Sequence, residues 1–407
     1  MRIFRNEATC IISAAILLRL IAAIYSTGFN HPDEHFQIIE PAYGLVHDYW
    51  LKTWEWHAGI RSWFPAWSIS YIIRMAHWIG LSHPDGTAML IRIFIGLLSV
   101  GTVWASYNVA LVLGGAKAAR LAGWSIALWP GLIYFNVHPL SETLCIPFAM
   151  VALVLCILNK YTWLAGVCAA IAFAFRFQAA FFVISCCLIL AFNKNCKSLV
   201  RFILCGLIVC AFVMILDCRL WQQLIYPAWR YFKFNVIEGG ASREFGVAPM
   251  HRYITALSRH FTAPVAIVLM GFSFSALYGF RKNWPVWVFV LPFIVSHHLI
   301  SHKEDRFIVP IFPALIVLAS IGATQVKMSK KLKILLISIV IMSGIYRGVT
   351  WKWQLHADAS TLLTYIGRQP DLSGVLMCNV SVFDMGGAFY VGKNITWTLE
   401  SDSSKCK

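Results

Sequence analysis

Within seven residues, His31-Pro32-Asp33-Glu34-His35-Phe36-Gln37 places two carboxylates, two imidazoles and an amide directly after an apolar run at 8–25. Pro32 suits the first position of a helix, where its missing N–H would be unpaired anyway. Asp33 and Glu34 then fall in the first turn, where the helix dipole favours negative charge. Asp33, Gln37 and Glu40 stand at i, i+4 and i+7, so a regular helix would carry an anion, an amide and a second anion on one face. Two readings compete. One is a capped interfacial helix with acids at its start; the other is a carboxylate held at the membrane surface to take a proton.

Three further stretches carry groups that are costly unless used. Thr53-Trp54-Glu55-Trp56 and Arg61 continue the first loop. Two Trp flanking a Glu form either an aromatic belt or a sugar site, where C–H faces stack and hydroxyls hydrogen-bond. The stretch from Phe234 to Tyr253 pairs Gly239 with Gly240 and offers Arg243, His251 and Arg252 as candidates for binding phosphate. His302-Lys303-Glu304-Asp305-Arg306 sets five polar residues between apolar spans, so it belongs at the surface or in a polar cavity. Pro310 and Pro313 should unwind the helix that follows. Arg176, Gln178 and Glu142 are isolated polar groups at span ends, each on its own best read as structural. His298 and His302 have the spacing of a metal pair but lack a third ligand. None of the twelve Cys forms a C-x-x-C pair, so they read as small core residues.

The elements that must position these groups are membrane helices. The chain is 59% hydrophobic and only 13% charged, against about 45–50% and 25% for a soluble domain. Its net charge of +16 concentrates in short loops, the positive-inside pattern, and argues against nucleic acid. Candidate spans are 8–25, 66–80, 88–113, 120–137, 143–158, 161–175, 178–193, 199–216, 263–280, 284–300, 306–323 and 332–350. Arg2 and Arg5 make the first a signal anchor with a cytoplasmic N-terminus. The basic loops Lys117–Arg120, Lys160, Lys194–Arg201, Arg281-Lys282 and Lys327–Lys333 mark the inside. Loops 26–65 and 217–262, the 138–142 and 176–178 ends, the 302–306 run and the tail from Trp351 then lie outside. That assignment fails if both 66–80 and 88–113 span, so the expectation is eleven or twelve crossings. The expected division is a transmembrane domain over 1–350 and a small extramembrane α/β segment over 351–407. The tail reads as a helix at 357–368 followed by short strands at 375–382, 388–391 and 395–399. Asn379-Val-Ser381 and Asn394-Ile-Thr396 match the N-glycosylation triplet.

Taken together, the 31–37 stretch, Thr53-Trp-Glu-Trp56, Arg61-Ser62 with Pro65, the Asn235…Phe245-Gly246…Pro249 loop and His302-Lys-Glu-Asp-Arg-Phe307 resemble glycosyltransferase family 22. These are the GT-C mannosyltransferases of GPI-anchor and N-glycan precursor assembly. The pieces stand in the family's order over about three quarters of the chain. Met250 and Asp305 depart from the pattern, and the chain is short for the family. The resemblance implies an all-α polytopic fold of the GT-C type with a large first external loop. It implies a polyprenyl- or dolichyl-phosphate-mannose donor, a mannosylated glycolipid acceptor and inverting transfer on the external or lumenal face. On this reading Asp33 is the general base with Glu34 as helper or alternative. Lys303, Arg306 and His302 take the donor phosphate, with Arg176 and Arg243 in reserve. His31, Gln37, Glu40, Trp54, Glu55, Trp56, Arg61, Glu304 and His251 surround the sugars. No metal or other cofactor is expected. The membrane would be endoplasmic reticulum in a eukaryote and the inner or plasma membrane in a bacterium. The rival readings are a lipid-linked sugar flippase, or a GT-C enzyme acting on another sugar or acceptor.

Overall fold

The computed structural model of the chain describes residues 2–400 and is built almost entirely of helices. Among the described residues, seven helical segments are long and apolar enough to cross a membrane. They are Asn6–Tyr25, Pro84–Gly114, Ser141–Leu158, Cys196–Trp221, Ala263–Leu299, Asp305–Gln325 and Lys330–Thr350. Thr162–Phe175 and Phe177–Phe192 are shorter apolar helices packed among them. Ala116–Leu128 and Pro130–Phe135 form one further rod, bent where Trp129 adopts an extended backbone before Pro130. The segment Ala263–Leu299 is itself two helices, Ala263–Ser275 and Phe280–Leu299, joined by a 3-10 turn. The protein is thus an integral multi-pass membrane protein.

Apolar side chains fill the interior, and the lipid-facing sides expose large hydrophobic residues. Lys330–Thr350, for example, buries none of its residues. In water such faces would be unfavourable at about 25 cal/mol per Å² of apolar surface; in lipid they are not.

The doubtful span resolves against crossing. Phe64–Trp78 has 15 residues, a rise of about 22 Å against a hydrocarbon core of about 30 Å. Its start is held by Asp217, near the outer end of Cys196–Trp221, which accepts from Trp63 N at 2.7 Å. Just beyond its other end, His83 receives the Arg368 guanidinium of the C-terminal segment at 2.7 Å. Between the two, Arg74 donates to Leu45 O at 2.7 Å. Both ends therefore lie on the outer side, and Phe64–Trp78 does not cross.

The C-terminal segment packs on that outer face. Helix Ala357–Gly367 stands where expected, followed by two short parallel strands, Gly374–Cys378 and Thr396–Glu400, with Gly374 opposite Thr396. Residues 388–391, expected as a strand, form a helical turn instead. The reason is Glu40, whose buried carboxylate accepts from the N–H groups of Ala388 at 2.7 Å and Phe389 at 3.1 Å. Such a carboxylate satisfies the otherwise unpaired donors of a helix start. Gly387 permits the approach: a Cβ there would lie 2.4 Å from the Glu40 carboxyl carbon. The chain entering the segment is held equally closely, with Phe29 N donating to Leu355 O at 3.1 Å beside Gly28. Cys378 departs from the reading of the cysteines as core residues, because it is disulfide-bonded. Asn379 and Asn394 are both exposed.

Candidate active site

Asp33 sits at the N-terminus of a short helix, Pro32–Glu34, capped by His31, whose Nδ1 accepts from Asp33 N at 3.1 Å. Pro32 occupies the first turn as its type demands. The next residues, His35–Ile39, form a π-helical turn before α-helix resumes at Glu40–His47. The wider turn overturns the expectation that Asp33, Gln37 and Glu40 share one face. A π turn adds about one residue to the turn and rotates everything beyond it. Gln37 goes to Glu55, at 3.3 Å, while Glu40 goes to the C-terminal segment.

Asp33 is a half-buried member of an ion cluster drawn from four distant parts of the chain. Its Oδ2 accepts from Arg306 Nη2 at 2.5 Å, and its side chain is 28% exposed. Arg306 also donates to Glu304 Oε2 at 2.7 Å and lies 3.6 Å from Glu142 Oε1. Glu142 in turn takes Arg176 Nη1 at 2.6 Å. His302 Nδ1 faces Gly246 O at 3.1 Å and its Nε2 faces Glu304 at 3.2 Å. Both ring nitrogens meet acceptors, so both bonds are made only by the imidazolium. Its pKa is accordingly raised, first by the hydrogen bond to Glu304. Burial works to raise the pKa of Asp33, but the Arg306 charge and the neighbouring His31 imidazole outweigh it and hold the carboxyl far below its usual range. Glu304, likewise opposed by burial, is held at about 2 by His302 and Arg306. Glu55, paired with Arg61, is pushed up, chiefly by burial and in part by the Asp33 charge.

Proline chemistry places Arg306. Asp305–Ile311 is 3-10 helix containing Pro310, and the α-helix begins only at Phe312, with Pro313 in its first turn. The expected unwinding therefore occurs, and it leaves Arg306 buried yet aimed at carboxylates. Loop 217–262 is tied to this run where Ala248 N donates to Ser301 O at 3.0 Å.

Beside the ion cluster lies a narrow cavity lined by Gln37, Arg61, Ser141, Arg176, Gln178 and Tyr231, among others. Arg176 is 5% exposed, and its Nε and Nη2 have no hydrogen-bond partner among the described residues; neither does Arg61 Nε. Donors left unpaired in a buried guanidinium are costly unless an anion or water meets them. Such a donor set suits an anion. Tyr231 shapes it, accepting from Gln178 Nε2 at 2.5 Å with Arg61 5.5 Å above its ring.

Several expected site residues are placed elsewhere. Glu34, the alternative base, is 1% exposed and has both oxygens taken, by His138 Nδ1 at 2.8 Å and Asn30 N at 2.7 Å. Glu40 is fully buried in the latch to the C-terminal segment, and so holds no sugar. Trp56 lies inside a cluster with Trp50, Trp63 and Trp221, its Nε1 donating to Phe36 O, so no sugar face reaches it. Trp54 is the half-exposed partner of Phe234 and Phe245, which leaves it free to stack. Lys303 is buried with its ammonium on Ile300 O at 2.5 Å, away from the carboxylates that order the cluster. Arg243 and His251 are exposed on the outer loop, and Arg252 pairs with Asp305 at 2.8 Å. Within 280–302, His298 bonds Ile294 O rather than joining His302, and among the described residues no group of three acids, His or Cys is placed to hold a metal ion. Glu142, read from the sequence as an isolated structural acid, is paired with Arg176 and Arg306. Its only signal was a carboxylate at the start of a span, after His138-Pro139-Leu140-Ser141, and its pairing with Arg176 and Arg306 is set by the fold alone.

The architecture is that of the GT-C membrane glycosyltransferases. ArnT from Cupriavidus metallidurans, solved bound to undecaprenyl phosphate, superposes with a TM-score of 0.69 over 98% of this chain and 87% of its own, at 11% identity. The chain belongs to the Alg9-like mannosyltransferase family, whose sequence model matches residues 10–354. It is 26% identical to GPI mannosyltransferase 3 of Yarrowia lipolytica over 376 residues, 88% of this chain and 70% of that protein. It is 24% identical to GPI alpha-1,2-mannosyltransferase 3 of Homo sapiens over 337 residues, 78% of this chain and 58% of that one. The chain spans only a little over half to 70% of the length of these relatives.

Proposed function

We propose that this chain is an inverting α-mannosyltransferase that moves mannose from a polyprenyl- or dolichyl-phosphate mannose to a hydroxyl of a mannosylated glycolipid. The observation that carries the reading is the juxtaposition of a half-buried, ionised Asp33 with a cavity lined by unpaired donors of Arg176 and Arg61. A carboxylate beside an anion seat matches the two ends of a glycosyl phosphate displacement. The names of the relatives and the lipid phosphate bound to ArnT support the donor class. They also support a GPI-anchor precursor as acceptor and, in a eukaryote, the endoplasmic reticulum membrane.

The chemistry follows from the charges. The acceptor oxygen attacks the anomeric carbon as the bond to phosphate oxygen breaks, and the electron pair leaves with the lipid phosphate. The acceptor proton passes to Asp33 Oδ1, which lies 3.5 Å from His31 Nδ1, since Oδ2 is already engaged by Arg306. A β-linked donor attacked once from the opposite face gives an α-mannoside. Negative charge grows on the departing phosphate, and the Arg176 and Arg61 guanidinium groups offset it in a site with little water. Because cations from the chain supply that role, turnover independent of metal is part of the proposal.

The test is transfer from synthetic polyprenyl-phosphate mannose to a panel of mannosylated lipids by the purified chain, with and without EDTA. Asp33→Asn should lower kcat by about 10²–10⁴ with donor binding retained, the span typical of a lost general base. EDTA should leave the wild type unchanged. Undiminished kcat in the variant removes Asp33 from the role, and binding without transfer to any acceptor overturns the enzyme reading.

A further inference from the structure

A second cavity, of about 230 Å³, opens on the outer side, away from the cavity beside Asp33. It lies between the end of the first helix at Ile24, the start of Pro84–Gly114 at Asp85, Met89 and Arg92, and the C-terminal segment at Ser360 and Tyr390. Two of its polar groups are unspent. Tyr390 is 2% exposed and its hydroxyl has no hydrogen-bond partner among the described residues. Burial raises its pKa, so the hydroxyl remains a donor. Arg92 is 5% exposed and uses only Nε, which donates to Ala23 O at 2.9 Å; its two terminal nitrogens have no partner among the described residues. Leaving the Tyr390 hydroxyl unmet in a buried space is unfavourable, whereas the Arg92 terminal nitrogens open onto the cavity. Asp85 stands seven residues before Arg92, two turns up the same helical face, and is exposed at the rim. One end of the cavity is thus cationic with a hydroxyl donor, and the other anionic.

The surroundings point to a lipid. Ile24 lines the cavity at 60% exposure, and Ile21 and Leu17 continue its stripe down the first helix at 53% and 58%. That i, i+4, i+7 row faces the hydrocarbon and runs straight to the rim.

We propose that this cavity binds a membrane phospholipid with an amine-terminated phosphodiester headgroup, its phosphate on Arg92 and Tyr390 and its ammonium toward Asp85. An acyl chain lies along the Leu17–Ile21–Ile24 stripe. The lipid bridges the transmembrane helices and the C-terminal segment, and the site is independent of the transferase reading.

Native mass spectrometry of the full chain in detergent, titrated with phosphatidylethanolamine or phosphatidylglycerol, tests this. One retained phosphatidylethanolamine per chain is expected, preferred over phosphatidylglycerol. Tyr390→Phe removes one unpartnered oxygen and Asp85→Asn alters an exposed group, so neither should disturb the fold. Each should weaken retention roughly fivefold, the value of one hydrogen bond or weak ion pair. Soluble phosphoethanolamine and inorganic phosphate should displace the lipid poorly. Equal retention by wild type and both variants, preference for phosphatidylglycerol, or full displacement by inorganic phosphate would each overturn the proposal. The last would mark a site for free phosphate rather than for a lipid.

Discussion

Arg306 touches Asp33 and Glu304 and lies near Glu142, so its charge is already spent within the protein. This reverses the order of phosphate candidates drawn from residue types: Arg176, the reserve, has free donors, and Arg306 has the neighbours. Arg176→Met is therefore expected to raise KM for the donor and lower kcat, and Arg176→Lys to recover only part, because an ammonium cannot reproduce the fork. Arg306→Met should instead lower stability by several kcal/mol, because it strands carboxylates that were paired. Thermal unfolding in detergent separates the two behaviours. His302 adds a pH dependence whose sign is fixed. Its pKa is raised in the folded protein, so the stability it contributes is complete below the unfolded value of about 6.5 and is lost as pH rises through the folded one. The Tm difference between wild type and His302→Gln should be larger at pH 6 than at pH 8; the opposite order would place the neutral ring in the cluster. The acids run the other way. Asp33 and Glu304 are lowered, so their contribution persists to mild acid and falls away only below about pH 4.

At the scale of elements, the π turn at His35–Ile39 separates Asp33 from Glu40 and sends Glu40 to latch the C-terminal segment. A regular helix would send Glu40 toward Asp33; the extra residue sends it to Ala388 and Phe389. Gly387→Ala drives a methyl into that carboxylate, 2.4 Å from its carbon, so either the latch or the loop must move. The expected outcome is a loss of about 1–3 kcal/mol and faster limited proteolysis after residue 367. Unchanged proteolysis would mean that the latch is dispensable. Much of this site was legible from residue type. Pro32 and Asp33 marked a helix start, and Pro310 with Pro313 marked the unwound entry that carries Arg306. The π turn left no trace in composition or periodicity, and Glu142 gained its meaning only from residues 34 and 164 positions away. Local rules read local structure well; they do not report which buried charges a fold brings together.

At the scale of the whole molecule, the position of one 15-residue helix fixes the sidedness of everything before it. If Phe64–Trp78 lies along the outer face, Asp33, Arg176, Arg306 and the C-terminal segment fall on one side, as a single site requires. If it spanned, residues 79–84 would sit with the basic loops, and His83 could not meet Arg368. The two arrangements are distinguished in sealed vesicles by a membrane-impermeant maleimide. Cys10 and Cys196 are exposed and should first be changed to Ser to remove background. In that protein Ser82→Cys and Ser381→Cys should label from the same side, and Lys327→Cys only from the other. The hydrogen-bonded contacts at both ends of the helix demand this, because each joins it to an element whose side is set independently. Labelling of Ser82→Cys together with Lys327→Cys would break the site apart across the bilayer, and with it the pairing of Asp33 and Arg306 on which the proposed reaction depends.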